Sequence, residues 1–224
     1  MSISTVFIVE DHPIVSAGLT QLLDRQPDFE VSGQAGCARD ALQEVLEARP
    51  DLLLVDISLE NGSGLEFVKD VRAQDYAGGI VVISAHDELV YAERSLRAGA
   101  QSYVMKSAPP ERILDALRRV RDGGIVVSDV VNTQLLSRMS AVRGATPLAS
   151  PLDHLSDREL QVFEHIGRGQ STREIANHLG ISIKTVETYR AQLKRKLGIQ
   201  TGNELVKRAV LAFDGALAPD RSDD

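Results

Sequence analysis

The sequence contains a single cysteine and no tryptophan, and it has no long apolar run. One cysteine cannot form a disulfide within the chain, which excludes a disulfide-stabilised scaffold. A transmembrane helix needs roughly 20 consecutive apolar residues, and no run in this sequence approaches that length. The N-terminus lacks the basic segment of a signal peptide. These absences predict a cytoplasmic protein without a membrane partner.

Basic residues are scarce in the first part of the chain, whose formal net charge over its whole length is −7. Residues 1–130 hold 12 Lys and Arg against 21 Asp and Glu. Between Arg168 and Arg208, by contrast, nine basic residues stand against three acidic ones. A basic segment within an acidic chain is typical of a DNA-binding module attached to a different domain. A solvated helical face has the same charge pattern, so charge alone leaves both interpretations open.

Short apolar runs alternate with amphipathic stretches in the first part of the chain. The runs that predict buried strands cover residues 6–9, 52–55, 80–83 and 102–105, with a weaker strand near 29–32. Apolar residues spaced three and four apart predict helices at 14–23, 41–46, 65–71, 89–96 and 113–120. Alternating strands and helices form parallel sheets through right-handed crossovers. We therefore predict an α/β domain over residues 4–122, built on a doubly wound, parallel, five-stranded sheet.

The second part of the chain has a different pattern. Periodicity weakens after residue 122, and residues 144–151 are small, nearly uncharged and proline-containing, so we interpret 123–150 as a linker. Residues 151–214 contain helical patterns only, with capping-box sequences at 156–159, 171–174 and 201–204. Gly180 and Gly198 stand where helices should end. Residues 215–224 are predicted to form a disordered tail.

Polar side chains follow four of the predicted strands. Glu10 and Asp11 follow the first strand, Asp56 the third, Ser84 the fourth and Lys106 the fifth. Since ligands of open α/β sheets bind beyond the carboxyl ends of the strands, we expect these groups to converge at one edge. Carboxylates packed together repel each other, and a Mg²⁺ ion with oxygen ligands relieves that repulsion. Such a metal accepts phosphate oxygens, and Asp56 on the central strand is the natural nucleophile.

This arrangement resembles the receiver domain of two-component response regulators, over about residues 5–122. Residues 61–66, with the sequence NGSGLE, are similar to the loop that follows the acceptor strand in that family. The resemblance implies that Asp56 accepts a phosphoryl group. It implies that Mg²⁺ is held by Glu10, Asp11, Asp56 and the carbonyl oxygen of Ser58. It also implies a phosphate-sensing pair and a switch aromatic, which are Ser84, Lys106 and Tyr103.

Several of these residues also suit a purely structural role. Glu10 and Asp11 are placed to cap the following helix, and Tyr103 fits an ordinary, partly buried strand aromatic. The sequence assigns no role to Cys37 or to His86, and His12 is interpreted as an exposed residue that opens the first helix.

Residues 171–190 contain two short helical patterns joined at Gly180. Two short helices joined through glycine, the second of which carries cations, are typical of a helix-turn-helix. On the second helix, helical periodicity places Tyr189 at the inward edge. The outward face, which is the candidate for the major groove of DNA, holds Lys184, Glu187, Thr188, Ala191 and Arg195. The residues predicted to contact DNA bases or phosphates are Lys184, Thr185, Glu187, Thr188, Arg190, Lys194 and Arg195.

Two of these DNA assignments leave an alternative open. Glu187 is placed to accept a hydrogen bond from a cytosine amino group, or to pair within the chain with Arg190 or Lys194. Arg190 lies near the core edge, where it either reaches DNA or covers apolar surface.

The motifs at 156–159, 169–176 and 181–186 resemble the LuxR-type helix-turn-helix over about residues 150–213. With a receiver before it, the chain resembles the NarL/FixJ class of response regulators. This resemblance implies a transcription regulator rather than a classical enzyme. It implies phosphorylation by a sensor histidine kinase, binding to promoter DNA as a homodimer, and contact with RNA polymerase. Residues 203–213 suit either pairing with a second copy on DNA or plain core packing.

Three other functions share part of this sequence pattern. A phosphatase with an aspartate nucleophile also uses carboxylates and Mg²⁺, but it needs an acid two residues after the nucleophile, where this chain has Ser58. A regulator of the same architecture that works without phosphorylation is a second alternative. A small-molecule sensor fits less well, because the predicted edge is acidic rather than an apolar cavity.

Overall fold

The computed structural model describes residues 3–59, 62–141 and 151–213. The chain divides into two compact units, residues 1–145 and residues 146–224. Within the described ranges, none of the helices combines the length and the apolarity that crossing a membrane requires.

The first unit contains a parallel sheet of five strands in the order β2-β1-β3-β4-β5. The strands are β1 Ser4–Val9, β2 Phe29–Ala35, β3 Leu52–Asp56, β4 Gly79–Ser84 and β5 Ser102–Met105. The helices between and after them are α1 Pro13–Asp24, α2 Ala38–Ala48, α3 Gly64–Ala73, α4 Glu88–Ala98 and α5 Pro110–Arg121. The predicted doubly wound α/β fold is confirmed.

The central strands are buried on both faces, which explains their continuous apolar sequences. Every residue of β3 is buried, and one face of the sheet contributes Ile8, Leu54, Val81 and Ile83 to a core that α1 and α5 complete. The register pairs Asp56 at the end of β3 with Ile83 of β4. The parallel register therefore brings the carboxyl ends of the strands to one edge of the sheet.

The edge strand β2 is longer than the sequence predicted. It runs to Ala35 rather than to residue 32, and its burial alternates with exposure along its length. Among the described strands β2 pairs with β1 alone, so its second half needs few apolar residues and resembles a loop in the sequence.

Part of the segment interpreted as a linker is helical. Helix α6 spans Asp129–Ala141 and packs against α4. Val131 is buried, whereas Val130 and Leu136 are exposed, so the apolar residues of α6 do not form one continuous stripe. Without that stripe the sequence shows no helical periodicity. Residues 142–150 of the predicted linker and the predicted tail, residues 215–224, lie outside the described residues.

The second unit is helical. A 3₁₀ turn, Pro151–His154, precedes α7 Asp157–Gly167, α8 Thr172–His178, α9 Ile183–Leu197 and α10 Gly202–Phe213. Complete capping boxes begin α7 at Ser156 and α8 at Ser171. Only half of the third predicted box is present: the Glu204 amide donates to Thr201 Oγ1, while the Glu204 carboxylate accepts from the Gln200 amide.

The joint between α8 and α9 depends on one glycine. Gly180 has a φ of +61°, a conformation that side chains with a Cβ rarely adopt, and Ser182 then caps α9 by accepting from the Thr185 amide. Ile175 and Val186 are buried on the facing sides of the two helices. These two helices have the order and the glycine joint of a helix-turn-helix, as predicted.

Candidate functional site

The end of β3 places Asp56 in a confined position. Asp56 is only 2% exposed, and Gly64 at the start of α3 lies directly against the Asp56 backbone. A Cβ built on Gly64 would lie 1.8 Å from the Asp56 carbonyl oxygen, so only glycine fits this close approach. The Gly64 amide donates to the Ile57 carbonyl at 2.8 Å and closes the loop behind the strand.

Lys106 joins the acidic residues of two strands. Its Nζ lies 2.9 Å from Asp56 Oδ2 and 2.7 Å from Glu10 Oε2. Glu10 follows β1, Asp56 ends β3 and Lys106 follows β5, so the sequence correctly predicted that these three residues meet. The Lys106 amide also donates to the Ser84 carbonyl at 2.7 Å, which fixes the backbone that carries the lysine.

Burial controls the charge states at this site. Burial raises the pKa of the Asp56 carboxyl to about 6 although the Lys106 ammonium opposes that shift, and the nearby Glu10 carboxylate adds to it. Burial by itself would lower the pKa of Lys106, but Asp56 and Glu10 outweigh it and raise that pKa. The site therefore holds one firmly protonated cation between two carboxylates.

The acidic side chains form a group with the chemistry of a hard-cation site. One ligand atom from each of Glu10, Asp11, His12 and Asp56 lies within 4.8 Å of the others. Glu10 Oε2 and Asp11 Oδ1 are buried and, within the described part of the chain, neither accepts a hydrogen bond of good geometry. Lys106 Nζ lies 2.7 Å from Glu10 Oε2, and His12 Nδ1 lies 2.7 Å from Asp11 Oδ1. Buried carboxylate oxygens that lack directed donors fit a divalent cation.

His86 links the remaining predicted residues. Its Nε2 lies 2.6 Å from Ser58 Oγ, its amide donates to Ser84 Oγ at 3.1 Å, and its carbonyl accepts from the Tyr103 hydroxyl at 2.7 Å. His86 also packs against the Tyr91 ring, with the ring centroids 4.7 Å apart and the ring planes tilted by 30°. Ser84 uses its oxygen as an acceptor in this contact, so its hydroxyl proton remains available to a ligand.

Two histidines of the site were not given roles from the sequence. His86 lies two residues after Ser84, as Ser58 lies two residues after Asp56, and this matched offset was the available signal. His12 is exposed as predicted, but its ring Nδ1 approaches both Asp11 and Glu10, at 2.7 Å and 3.2 Å. A histidine beside an acidic pair at a strand end was the signal there.

The second unit presents the outer face of α9. Periodicity predicted five outward side chains, and all five are exposed: Lys184, Glu187, Thr188, Ala191 and Arg195. Val186 and Leu193 are fully buried on the opposite side, and Tyr189 is half-buried between the two faces. Thr185 is half-buried and its Oγ1 lies 2.7 Å from Ser182 Oγ. The predicted contacts of this face with DNA stay a prediction.

Most cations of α9 have no ion-pair partner among the residues that the structure describes. Within the described residues, Lys196 alone among them has an ion-pair partner, Glu159, at 2.6 Å. Arg190 and Lys194 are half-buried and line a groove between α9 and the first turn of α10. A helix face with several unpaired cations attracts a polyanion.

Two known families match the chain. Residues 6–118 match the response regulator receiver domain, and residues 153–209 match the luxR family of bacterial regulatory proteins. The receiver match alone covers half of the sequence. The chain is a response regulator with a LuxR-type DNA-binding domain. The predicted family is confirmed, and a response regulator of this kind is not a classical enzyme.

Characterised relatives resemble the response regulator over most of its length. It is 33% identical to the oxygen regulatory protein NreC of Staphylococcus aureus, over 92% of this chain and 96% of the relative. A LuxR-family two-component response regulator from Aurantimonas sp. SI85-9A1 is 28% identical with a TM-score of 0.58, and the match covers 62% of this chain and 99% of that one.

A third relative has the same fold at lower identity. RcsB of Salmonella enterica serovar Typhimurium has been solved bound to the promoter rprA in the presence of the phosphomimetic BeF3⁻. It is 22% identical to the response regulator with a TM-score of 0.62, over 93% of this chain and 99% of that one.

Proposed function

We propose that Asp56 accepts a phosphoryl group from a sensor histidine kinase and that this modification controls binding to promoter DNA. The observation that carries the proposal is the placement of Lys106 between the carboxylates of Asp56 and Glu10, at 2.9 Å and 2.7 Å. A nucleophilic carboxylate beside a fixed cation, with a hydroxyl at the end of the next strand, is suited to phosphoryl transfer.

Asp56, Lys106 and Ser84 have different roles in the phosphoryl transfer. One Asp56 oxygen forms a bond to phosphorus while the bond from phosphorus to the donor nitrogen breaks, and the electron pair remains on the imidazole that leaves. Lys106 Nζ then exchanges its contact with Asp56 Oδ2 for a phosphoryl oxygen. Ser84, whose oxygen already accepts from the His86 amide, donates its hydroxyl proton to a second phosphoryl oxygen.

The acidic group supports Mg²⁺ as the cofactor. Glu10, Asp11 and Asp56 would hold it with the Ser58 carbonyl, and it would neutralise phosphoryl charge during transfer. The buried oxygens of Glu10 and Asp11 that lack directed donors support this assignment. We propose that Asp56 later loses the phosphoryl group by hydrolysis: a water oxygen bonds to phosphorus, the bond from phosphorus to the Asp56 oxygen breaks, and inorganic phosphate leaves. Bound Mg²⁺ would assist this reaction.

We propose that the C-terminal unit binds DNA through α9. The unpaired cations of α9 support its entry into the major groove, with Lys184, Lys194 and Arg195 at phosphates. We propose that a cytoplasmic homodimer binds two half-sites and contacts RNA polymerase. Exposed Val206, Val210 and Leu211 on α10 support pairing of two copies through that helix.

The experiment compares DNA affinity with and without a small-molecule phosphodonor, in the presence of Mg²⁺. Wild-type protein should bind its DNA more tightly after treatment, and Asp56→Ala should not respond. Asp70→Asn is the matched control, because Asp70 is an exposed acid on α3. An Asp56→Ala variant that responds like wild type would show the proposed switch to be wrong.

A further inference from the structure

Helix α9 carries one acidic side chain, Glu187, among five cations. Glu187 is exposed and lies on the same outward face as Lys184 and Arg195. A carboxylate on a face that meets DNA phosphates weakens non-specific binding, since phosphate contacts supply most of that affinity. Its position on this face therefore needs a compensating contact in the bound state.

Within the described residues, no contact supplies that compensation. Among the described residues the Glu187 carboxylate forms no ion pair and accepts no hydrogen bond. The helix positions four residues away on either side hold Ile183 and Ala191, which carry no charge. Lys184 and Arg190, three residues away, are within reach but are not paired with it. The intramolecular role that the sequence left open is therefore absent among the residues that the structure describes.

The major groove offers few partners to a carboxylate. Guanine presents the acceptors N7 and O6, and thymine presents O4, so all of these repel Glu187. Adenine presents an N6 amino donor beside its own N7 acceptor. Cytosine presents its N4 amino donor with no acceptor on its own groove edge, which makes it the favoured base.

We propose that Glu187 determines the sequence specificity of α9 and selects half-sites with cytosine at the base pair that it faces. This inference rests on the proposed function, because it requires α9 in the major groove. The carboxylate accepts a hydrogen bond from cytosine N4 and disfavours the other bases there. Without Glu187 the cationic face would bind any DNA sequence. With Glu187 it discriminates between base sequences.

The test is selection of binding sites from a randomised DNA library with the full chain, for wild type and for Glu187→Gln. Wild type should prefer cytosine by roughly tenfold at one base pair of each half-site, the discrimination of one good base contact. Glutamine is the same size but uncharged, and it pairs with adenine N6 and N7. Glu187→Gln should therefore replace cytosine by adenine at that base pair, leave the other positions unchanged, and bind random DNA more tightly.

Lys184→Gln is the matched control on the same face. Losing a phosphate contact should weaken binding to all sequences alike and leave the cytosine preference in place. An identical base preference for wild type and Glu187→Gln would overturn the inference while the DNA-binding function stands. If wild type selects no sequence at all, the proposed function itself fails, and the inference fails with it.

Discussion

Lys106 Nζ contacts Asp56 Oδ2 at 2.9 Å although their strands, β5 and β3, are separated in the sheet by β4. The lysine reaches this carboxylate across the carboxyl end of the intervening strand, and Glu10 follows on the far side of Asp56. The contact therefore ties three strands together by charge. Its removal has consequences for stability as well as for phosphoryl transfer.

Lys106→Met should destabilise the receiver unit by about 3 kcal/mol, because two buried carboxylates lose their cation. The loss should be larger at alkaline pH than near pH 5, where protonation relieves the repulsion between Asp56 and Glu10. Urea unfolding followed by circular dichroism measures both values. Arg112→Met, which removes an exposed cation from α5, should change stability by less than about 0.5 kcal/mol. Equal losses in the two variants would contradict this role.

The raised pKa of Asp56 predicts that this residue destabilises the folded chain in a pH-dependent way. Because the pKa is about 6 in the folded chain against 3.8 in an ordinary aspartate, the folded state binds this proton more tightly. As the pH rises from about 4 to about 6, Asp56 therefore lowers the free energy of unfolding. Above that range the free energy of unfolding stays lowered by the same amount. Asp56→Asn should be more stable than wild type by about 1–3 kcal/mol near pH 8, and the difference should vanish near pH 4. A difference that does not change with pH would rule out this titration.

The close approach between Gly64 and Asp56 predicts that adding a single methyl group at Gly64 destabilises the protein. Gly64→Ala would place a Cβ 1.8 Å from the Asp56 carbonyl, so the loop must move and stability should fall by about 1–3 kcal/mol. Gly18→Ala is the control, because a Cβ at Gly18 in α1 meets nothing within 4 Å. Alanine in that helix should instead stabilise by up to about 1 kcal/mol. Thermal unfolding of both variants measures the contrast, and a neutral Gly64→Ala would contradict the packing described.

The contact between Ser58 Oγ and His86 Nε2, at 2.6 Å, predicts energetic coupling between two loops. Ser58→Ala and His86→Ala should each destabilise the receiver unit, and the double variant should lose less than the sum. A double-mutant cycle in urea should give a coupling of about 1 kcal/mol, the net contribution of a typical hydrogen bond within a protein. Strictly additive losses would mean that the two side chains act independently.

The sequence was informative where a residue's chemistry and its place in the topology agree. The strands β3, β4 and β5 were recognisable as continuous apolar runs because both of their faces are buried. Asp56, Glu10 and Lys106 were placed together because the ends of parallel strands meet at one edge of the sheet. The capping boxes at Ser156 and Ser171 were recognisable because they are local.

The features that the sequence did not predict depend on long-range packing. Helix α6 packs against α4 but lacks an apolar stripe, so its own periodicity carries no signal. The hydrogen bonds of His86 join residues 28 and 17 positions away, and no local pattern specifies them. The offset from Ser84 indicated a position near the site but not the partners.

The measurement that tests the central claim most directly is the mass of the intact protein after treatment with a small-molecule phosphodonor and Mg²⁺. Wild type and Asp70→Asn should each gain one phosphoryl group, which peptide mapping should place on Asp56 in both. Asp56→Asn should gain none. A phosphoryl group on Asp56→Asn, or wild type that stays unmodified with Mg²⁺ present, would contradict the assignment of Asp56 as the phosphoacceptor.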